Sequence, residues 1–112
     1  MLMPGDVVEL DLGAPAGSEA GLRRPAIVVT AMCVLRGNPN VVQVVPLTST
    51  VRDSRAEVPV EPDSLNGLGV ASAAQCQHVR SVAESRIAFV VGNVGAIVLR
   101  QVRDVVATII DA

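Results

Sequence analysis

The sequence has 112 residues, of which half are apolar, and a formal net charge of −2. This length is typical of one domain, residues 1–112, and the apolar runs are far shorter than the about 20 residues that a membrane-spanning helix needs. The charge excludes an overall basic surface for nucleic acid, so such a contact would depend on a local group among the nine basic residues, all of which are arginine.

The N-terminal part of the chain predicts two strands separated by a loop. Residues 5–12 alternate between apolar and polar side chains in their second half, which is typical of a half-buried strand. Residues 13–23 are rich in glycine, alanine and proline without periodicity, so we expect a mobile loop there. Residues 25–30 predict a buried strand, because Pro25 at the first position does not interrupt the ladder, and residues 31–40 end in a turn-forming cluster.

The middle of the chain predicts further strands. Residues 41–50 show the clearest strand pattern, and Pro46 within it predicts a β-bulge or a position at a sheet edge. Residues 56–60 predict a short strand, and residues 70–82 predict one long bent strand. Residues 84–86 are expected to form a single helical turn.

The C-terminal part predicts a strand or irregular segment over residues 87–94, followed by a helix over residues 96–110. Apolar side chains recur at helical spacing in the second segment, so one face of this helix should pack on the sheet. The predicted inward-facing residues are Leu99, Val102, Val106 and Ile109. Short strands followed by one helix predict a mainly β fold with a C-terminal α-helix, built as a small, strongly coiled antiparallel sheet or partial barrel.

The cysteines, the histidine and the N-terminus exclude several classes of protein. Cys33, Cys76 and His78 are too few and too widely spaced for a metal site, so we expect neither a metal nor another cofactor. The first residues contain neither a basic nor an apolar leader segment, which predicts a cytoplasmic protein without a secretion signal. The high apolar content exceeds what one small core can cover and predicts an oligomer interface.

Three segments combine polar and charged residues that could act together. Ser18 and Glu19 lie in the predicted loop, and Arg24 follows at the start of a strand. Thr48 and Ser49 lie near the end of the clearest strand. Taken singly, such residues are most often structural or solvated, so only their convergence would indicate a site. The third segment contains Gln77, His78 and Arg80.

In order and spacing, these segments resemble the MazF/PemK family of toxins over nearly the whole chain, including the final helix. The family's opening motifs are similar to residues 5–13, Gly17-Ser18-Glu19 and Arg24-Pro25-Ala26-Ile27-Val28-Val29. Its later motifs are similar to Val45-Pro46-Leu47-Thr48-Ser49 and Gln77-His78-Val79-Arg80-Ser81-Val82. Any one of these motifs would be weak, whereas the ordered set is specific.

The resemblance implies an SH3-like, strongly coiled antiparallel barrel that forms a homodimer. It implies cleavage of single-stranded RNA at short sequences without metal, leaving 2′,3′-cyclic phosphate and 5′-hydroxyl ends. It further implies that Arg24 and Thr48 form the catalytic pair and that Ser18 and Glu19 lie near the scissile phosphate. The expected partner is a cognate antitoxin whose disordered tail folds into the RNA groove.

RNA cleavage of this kind sets the roles that these residues would have. The 2′-hydroxyl must lose a proton, charge builds on the phosphate oxygens, and the leaving oxygen gains a proton. Arg24 would neutralise the charge, Thr48 would donate a hydrogen bond, and Glu19 could act as the base if the loop closes. His78 is a second candidate base, because imidazole exchanges protons near neutral pH, although a structural histidine is the commoner case.

The composition also bears on how RNA would be bound. The sequence has no tryptophan or tyrosine and a single phenylalanine, so base stacking on aromatic side chains is nearly unavailable. Bases would instead be read by arginine guanidinium groups, backbone groups and side-chain amides. The residues that we expect to contact RNA are Ser18, Ser49, Gln77, His78 and Arg80.

Two other functions fit the same type of fold. A gyrase-binding toxin of the CcdB type would need a C-terminal Trp-Gly-Ile tail, whereas this chain ends Ile109-Ile110-Asp111-Ala112 and contains no tryptophan. A non-catalytic RNA-binding or scaffolding barrel remains an alternative, because the low aromatic content weakens the expected RNA contacts.

Overall fold

A computed structural model describes residues 1–11 and 23–112 of the chain. In these two stretches the chain forms seven strands, a short helix near the first third, two 3-10 turns and a longer helix at the C-terminus. The strands are β1 (Asp6–Asp11), β2 (Arg23–Val28), β3 (Val41–Thr48), β4 (Glu57–Val60), β5 (Ser72–Gln75), β6 (Arg80–Ala83) and β7 (Ile87–Asn93). The helices are α1 (Met32–Leu35) and α2 (Gly95–Ile109), and the 3-10 turns are Cys76–His78 and Glu84–Arg86.

All the strand pairs in the described ranges are antiparallel and form a seven-stranded sheet. The order along the sheet is β4-β5-β3-β2-β1-β7, and β6 pairs with β3 beside this path. One edge of β3 therefore pairs with β6 along its first half and with β5 at its end, which requires the sheet to bend there. The predicted mainly β fold with a C-terminal helix is confirmed.

Both faces of the sheet are covered, and each has its own apolar core. On what we call the helix face, α2 packs against the sheet, and the buried members are Val7, Ile27, Val45, Leu47, Val58, Val60, Ala74, Cys76, Val94, Leu99 and Val102. The other face, which we call the groove face, is partly covered by α1. Its buried members are Val8, Leu10, Ala26, Val28, Leu35, Val42, Val44 and Val82. The first strand is thus buried on both sides at Val7 and Val8 instead of being half-buried throughout.

The predicted C-terminal helix is confirmed, with one error in its inward-facing residues. Leu99 and Val102 are buried and Val106 packs partly against the same core, but Ile109 is 44% exposed. Ile110, which follows it, is 64% exposed, so the end of the helix contributes little to this core. Val98 and Val105 cover the core beside the predicted stripe.

Arg103 fastens α2 to the end of β2. Its Nε and Nη2 atoms donate to the carbonyl oxygen of Val29 over 3.1 and 2.9 Å, and Nη2 also donates to the carbonyl of Thr30 over 3.2 Å. Val29 and Thr30 lie just after β2, so the guanidinium donates hydrogen bonds to backbone carbonyls that are not paired within the sheet.

Replacing Arg103 with alanine should lower the free energy of unfolding by about 1–3 kcal/mol, because charged hydrogen bonds to partly buried carbonyls are lost. Urea denaturation measures this change. Arg100→Ala is the matched control, since Arg100 is exposed and forms only a surface ion pair of 4.0 Å with Asp104 on the same helix. Equal stability of the two variants would contradict this role of Arg103.

Pro46 lies at neither of the predicted positions, a β-bulge or a sheet edge. It pairs with Ala26 of β2 on one side, in a regular register. The Gln43 carbonyl accepts a hydrogen bond from the Val29 N–H and therefore points towards β2. Backbone groups of successive residues in a strand point to alternate sides, so those of Pro46, three residues later, point away from β2, towards β5 and β6. The ladder changes there from β6, paired through Val44, to β5, paired from Leu47. The missing N–H of proline therefore falls in the gap between two partner strands.

The prediction of one long strand over residues 70–82 is wrong. The segment forms β5, the 3-10 turn Cys76–His78 and β6, and the turn is held by a hydrogen bond of 3.1 Å from the Cys76 N–H to the Ala56 carbonyl. The short helix α1 was not predicted from the sequence. In contrast, the turn Glu84–Arg86 confirms the predicted helical turn.

The segment between β4 and β5 packs closely on β7. Asn66 is buried; its Oδ1 accepts hydrogen bonds from the backbone of Asp63 and Leu68, and the Leu65 carbonyl accepts one from Asn93. A Cβ atom at Gly92 would lie 2.4 Å from the Leu65 carbonyl oxygen, so only glycine permits this approach. The segment is thereby fixed as one wall of the cavity described next.

Candidate active site

Arg24 lies on β2 at the polar end of the groove face. It alternates along the strand with Ala26 and Val28, whose side chains are buried on that face. It pairs with Leu10 of β1, and its own side chain is exposed. The sheet thus fixes the backbone of Arg24 while the guanidinium remains free to meet a ligand.

Thr48 lies across from Arg24 on β3. The paired residues of β2 and β3 run from Val28–Val44 to Ala26–Pro46, and continuing this register two residues beyond the last pair would bring Arg24 opposite Thr48. Side chains opposed in this way have Cβ atoms about 4.5–5.5 Å apart. The Thr48 hydroxyl oxygen accepts a hydrogen bond of 3.1 Å from the Thr50 N–H, so its own proton is available to a ligand.

Arg24 and Thr48 line one open cavity of about 390 Å³, which we call the Arg24–Thr48 cavity. Ser49 and Arg23 also line it, as does Glu9, and the fixed segment between β4 and β5 forms the opposite wall through Leu68, Gly69 and Val70. The two residues assigned to the catalytic pair therefore both line the same cavity, although they are 24 positions apart in the printed sequence.

A second open cavity of about 320 Å³ adjoins the first at Arg24, and we call it the Arg24–Arg80 cavity. Arg80 and His78 line it together with Gln75, over a floor of Leu10, Val44 and Pro46. Arg24 thus lines both cavities, which we refer to together as the groove.

The other predicted site residues are placed as follows. Ser49 is exposed and follows Thr48 in the Arg24–Thr48 cavity. Gln77 is exposed on the 3-10 turn, between Gln75 and His78, which both line the Arg24–Arg80 cavity. Ser18 and Glu19 lie outside the described residues.

Sequence reasoning missed Glu57, the first residue of β4. Its side chain is only 1% exposed, and its Oε2 atom accepts a hydrogen bond of 2.7 Å from the Gln77 Nε2. A longer contact of 3.5 Å comes from the Gln75 Nε2, and the Arg52 Nε lies 3.6 Å away. A glutamate within an otherwise apolar strand pattern was the signal that could have revealed it, because a charge buried there needs partners.

Acid should weaken this buried contact. The Gln77 amide, and after it Arg52, holds the pKa of Glu57 below its ordinary value of 4.5, although burial acts in the opposite direction. A carboxyl group with a lowered folded pKa stabilises the fold above its unfolded pKa, and this contribution is lost as the pH falls through the folded value.

In urea denaturation, the free energy of unfolding of the wild type should therefore fall more steeply between about pH 5 and pH 3 than that of Glu57→Gln. Parallel curves for the two proteins over this range would show that Glu57 does not contribute in this way.

Cys76, between the two glutamines, faces the other side of the sheet. Its thiol lies 3.7 Å from the Val102 carbonyl of α2, and burial raises the pKa of this thiol to about 11. Within residues 1–11 and 23–112, no three histidine, cysteine, aspartate or glutamate side chains group in a way that could hold a metal ion. No helix in the described part of the chain is both long and apolar enough to cross a membrane.

Comparisons with known proteins place this geometry in a family. Residues 3–110 match the family model of the PemK-like, MazF-like toxin of type II toxin-antitoxin systems. Endoribonuclease MazF9 of Mycobacterium tuberculosis is 34% identical over 108 residues, which cover 90% of this chain and 89% of that protein.

Solved structures give the same result. MazF of Deinococcus radiodurans superposes with a TM-score of 0.75 at 31% identity, covering 97% of this chain and 96% of that one. A MazE-MazF structure from Deinococcus radiodurans gives a TM-score of 0.77 at 30% identity, covering 96% and 93%. The chain therefore belongs to the PemK-like, MazF-like family of toxins of type II toxin-antitoxin systems.

Proposed function

We propose that the chain is an endoribonuclease toxin that cleaves single-stranded RNA in the cytoplasm, without a metal ion, to 2′,3′-cyclic phosphate and 5′-hydroxyl ends. The observation that carries this proposal is that Arg24 and Thr48 line the same open cavity on adjacent strands. The endoribonuclease name of the relative from Mycobacterium tuberculosis, at 34% identity, supports the same reaction class.

The two side chains suit the charge that develops during such a cleavage. Attack of the 2′-hydroxyl on the adjacent phosphorus places negative charge on the non-bridging oxygens. The guanidinium of Arg24 offers a planar pair of N–H donors to these oxygens, and the Thr48 hydroxyl offers a third donor from a neighbouring strand. Because both are anchored in the sheet, little reorganisation is needed when the charge appears.

A base must remove the proton of the 2′-hydroxyl. We assign this role to Glu19, a carboxylate residue that precedes β2 in the sequence. His78 is the second candidate, since it lines the Arg24–Arg80 cavity, in which an imidazole could approach a substrate bound at Arg24. To decide between the two residues, the cleavage rate of Glu19→Gln and of His78→Gln is measured as a function of pH. The base is the residue whose replacement abolishes the pH dependence while replacement of the other does not.

RNA binding in a protein of net charge −2 depends on a local concentration of arginine. Arg24 and Arg80 both line the Arg24–Arg80 cavity, so an RNA backbone bound there would meet two guanidinium groups. We assign phosphate contacts to Arg80 and contacts with the sugar or base to Ser18, Ser49, Gln77 and His78. These contacts would make cleavage specific for short sequences. The experiment described below determines which sequence is preferred.

The proposed partners are a second copy of the chain and a cognate antitoxin. The Deinococcus radiodurans MazE-MazF structure supports a protein partner of the MazE type for this chain as well. A disordered antitoxin segment that folds into the groove would cover Arg24 and exclude RNA by occupancy. Exposed apolar residues such as Phe89 and Val90 on β7, at the edge of the sheet, support burial in a homodimer.

The test is incubation of the purified protein with a mixed-sequence RNA in the presence of EDTA, followed by analysis of the fragment ends. Defined fragments with cyclic phosphate and 5′-hydroxyl ends are the expected result, and mapping the cuts on a long transcript gives the preferred sequence. Intact RNA that is still bound would favour a non-catalytic RNA-binding barrel. Intact, unbound RNA would reject both functions.

A further inference from the structure

Glu57 is a buried carboxylate beside the groove that the proposed reaction does not use. Its register partner in the sheet is Gln75, so both side chains lie on the same face of β4 and β5. The same row continues through Pro46, which with Gln75 lines the Arg24–Arg80 cavity. Glu57 therefore lies beside Gln75, a side chain that RNA in this cavity would contact.

The contacts of Glu57 are all donors directed at one of its oxygens. The Gln77 Nε2 donates to Oε2 over 2.7 Å, the Gln75 Nε2 approaches it to 3.5 Å, and the Arg52 Nε lies at 3.6 Å. Arg52 is 61% exposed, so the short bond from Gln77 is the principal contact.

This arrangement sets the orientation of both glutamine amides. An ionised carboxylate can only accept hydrogen bonds, so each amide must turn its NH₂ group towards Glu57. The amide oxygens of Gln75 and Gln77 consequently face away from Glu57. The donors around Glu57 also lower its pKa, which keeps the carboxylate ionised at neutral pH.

The other oxygen of Glu57 indicates that the charge is not explained by stability alone. Oε1 is buried and finds no hydrogen-bond donor among the residues that the structure describes. A buried carboxylate oxygen without a donor lowers the stability of the fold, and a neutral side chain would avoid this cost. A charge kept at such a cost, next to a ligand groove, is better explained by an effect on the groove.

We propose that Glu57 is a positioning residue that determines base specificity, by locking Gln75 and Gln77 with their amide oxygens towards the RNA. The inference rests on the proposed function, because it concerns the RNA that lies in the groove. Two fixed acceptors favour a base that presents an exocyclic amino group, as adenine, cytosine and guanine do. Uracil has no amino group; its one edge donor, the N3–H, is flanked by two carbonyl oxygens, which would face these acceptors.

The experiment compares the wild type with Glu57→Gln on a pool of short RNAs randomised around the cut site. A neutral amide at position 57 can donate as well as accept, so the two glutamines can turn and offer NH₂ to uracil. At the nucleotide position that Gln75 and Gln77 contact, the wild type should cleave RNAs with an amino-bearing base in preference to RNAs with uracil. The measure is the ratio of the two kcat/KM values, and this ratio should be about tenfold smaller for Glu57→Gln. The melting temperature, recorded in parallel, shows whether the variant is folded.

Two further variants make the result unambiguous. Glu61→Gln is the matched control, because it removes an exposed carboxylate just after β4, and it should keep the wild-type preference. Gln77→Met keeps Glu57 in the chain but removes the exposed amide that donates to it, so it should reduce the same preference even if Glu57→Gln does not fold.

The outcomes separate the inference from the function on which it rests. If the wild type cleaves RNA and Glu57→Gln keeps the same base preference, the inference alone is overturned. If Glu57→Gln does not fold, an unchanged base preference in Gln77→Met overturns it in the same way. If the wild type binds RNA with a preference against uracil but does not cut it, and Glu57→Gln loses this preference, the nuclease function is rejected and the inference stands. A wild type that neither binds nor cuts RNA would overturn both.

Discussion

Replacing Arg24 with alanine should slow RNA cleavage by about 10²–10³-fold, because a preorganised donor to the transition-state charge is lost. The loss should appear mainly in kcat, since the charge that Arg24 neutralises is largest in the transition state. Its side chain is exposed, so the melting temperature should change little. Single-turnover cleavage of a defined oligonucleotide measures the chemical step.

Two companion variants define what Arg24 contributes. Arg24→Lys keeps the charge but loses the planar pair of donors, so it should retain a rate between those of the wild type and the alanine variant. Arg100→Ala removes another exposed arginine, from α2, and it should cleave at the wild-type rate. Wild-type cleavage by Arg24→Ala would show that the proposed site is misassigned.

Replacing Thr48 with valine should slow cleavage by about 10²-fold, because the shape of the side chain is kept and its hydroxyl donor is lost. Thr48→Ser restores the hydroxyl and should recover most of the rate. Thr50→Val is the matched control, since Thr50 lines neither cavity. A valine variant that is as fast as the serine variant would remove Thr48 from the mechanism.

Much of the fold could be predicted from local sequence patterns. Strands β1, β2, β3 and β4 and helix α2 follow from alternation, β-branched residues and helical spacing, which are properties of neighbouring residues. The convergence of Arg24 and Thr48 followed only from the family resemblance, because no local pattern determines which strands are adjacent. The sheet register now provides the physical reason for it.

The errors have non-local causes. Residues 70–82 are interrupted at Cys76 because the Ala56 carbonyl and Glu57 hold the turn there, and these two residues lie at the start of another strand, β4. Pro46 is tolerated because two strands divide one edge of β3 at that point. The role of Glu57 depends on Gln77, which is 20 residues away in the chain. Such effects appear only once the strand pairing is known.

The different surroundings of the two cysteines provide a means of following the protein in solution. Cys76 is buried, and its thiol has a pKa of about 11, so it remains protonated and is shielded from alkylating reagents. Cys33 is exposed on α1 and lines neither cavity of the groove. A maleimide fluorophore should therefore attach at a single place in the native chain, which allows association with RNA or an antitoxin to be recorded without engineering the cysteine content.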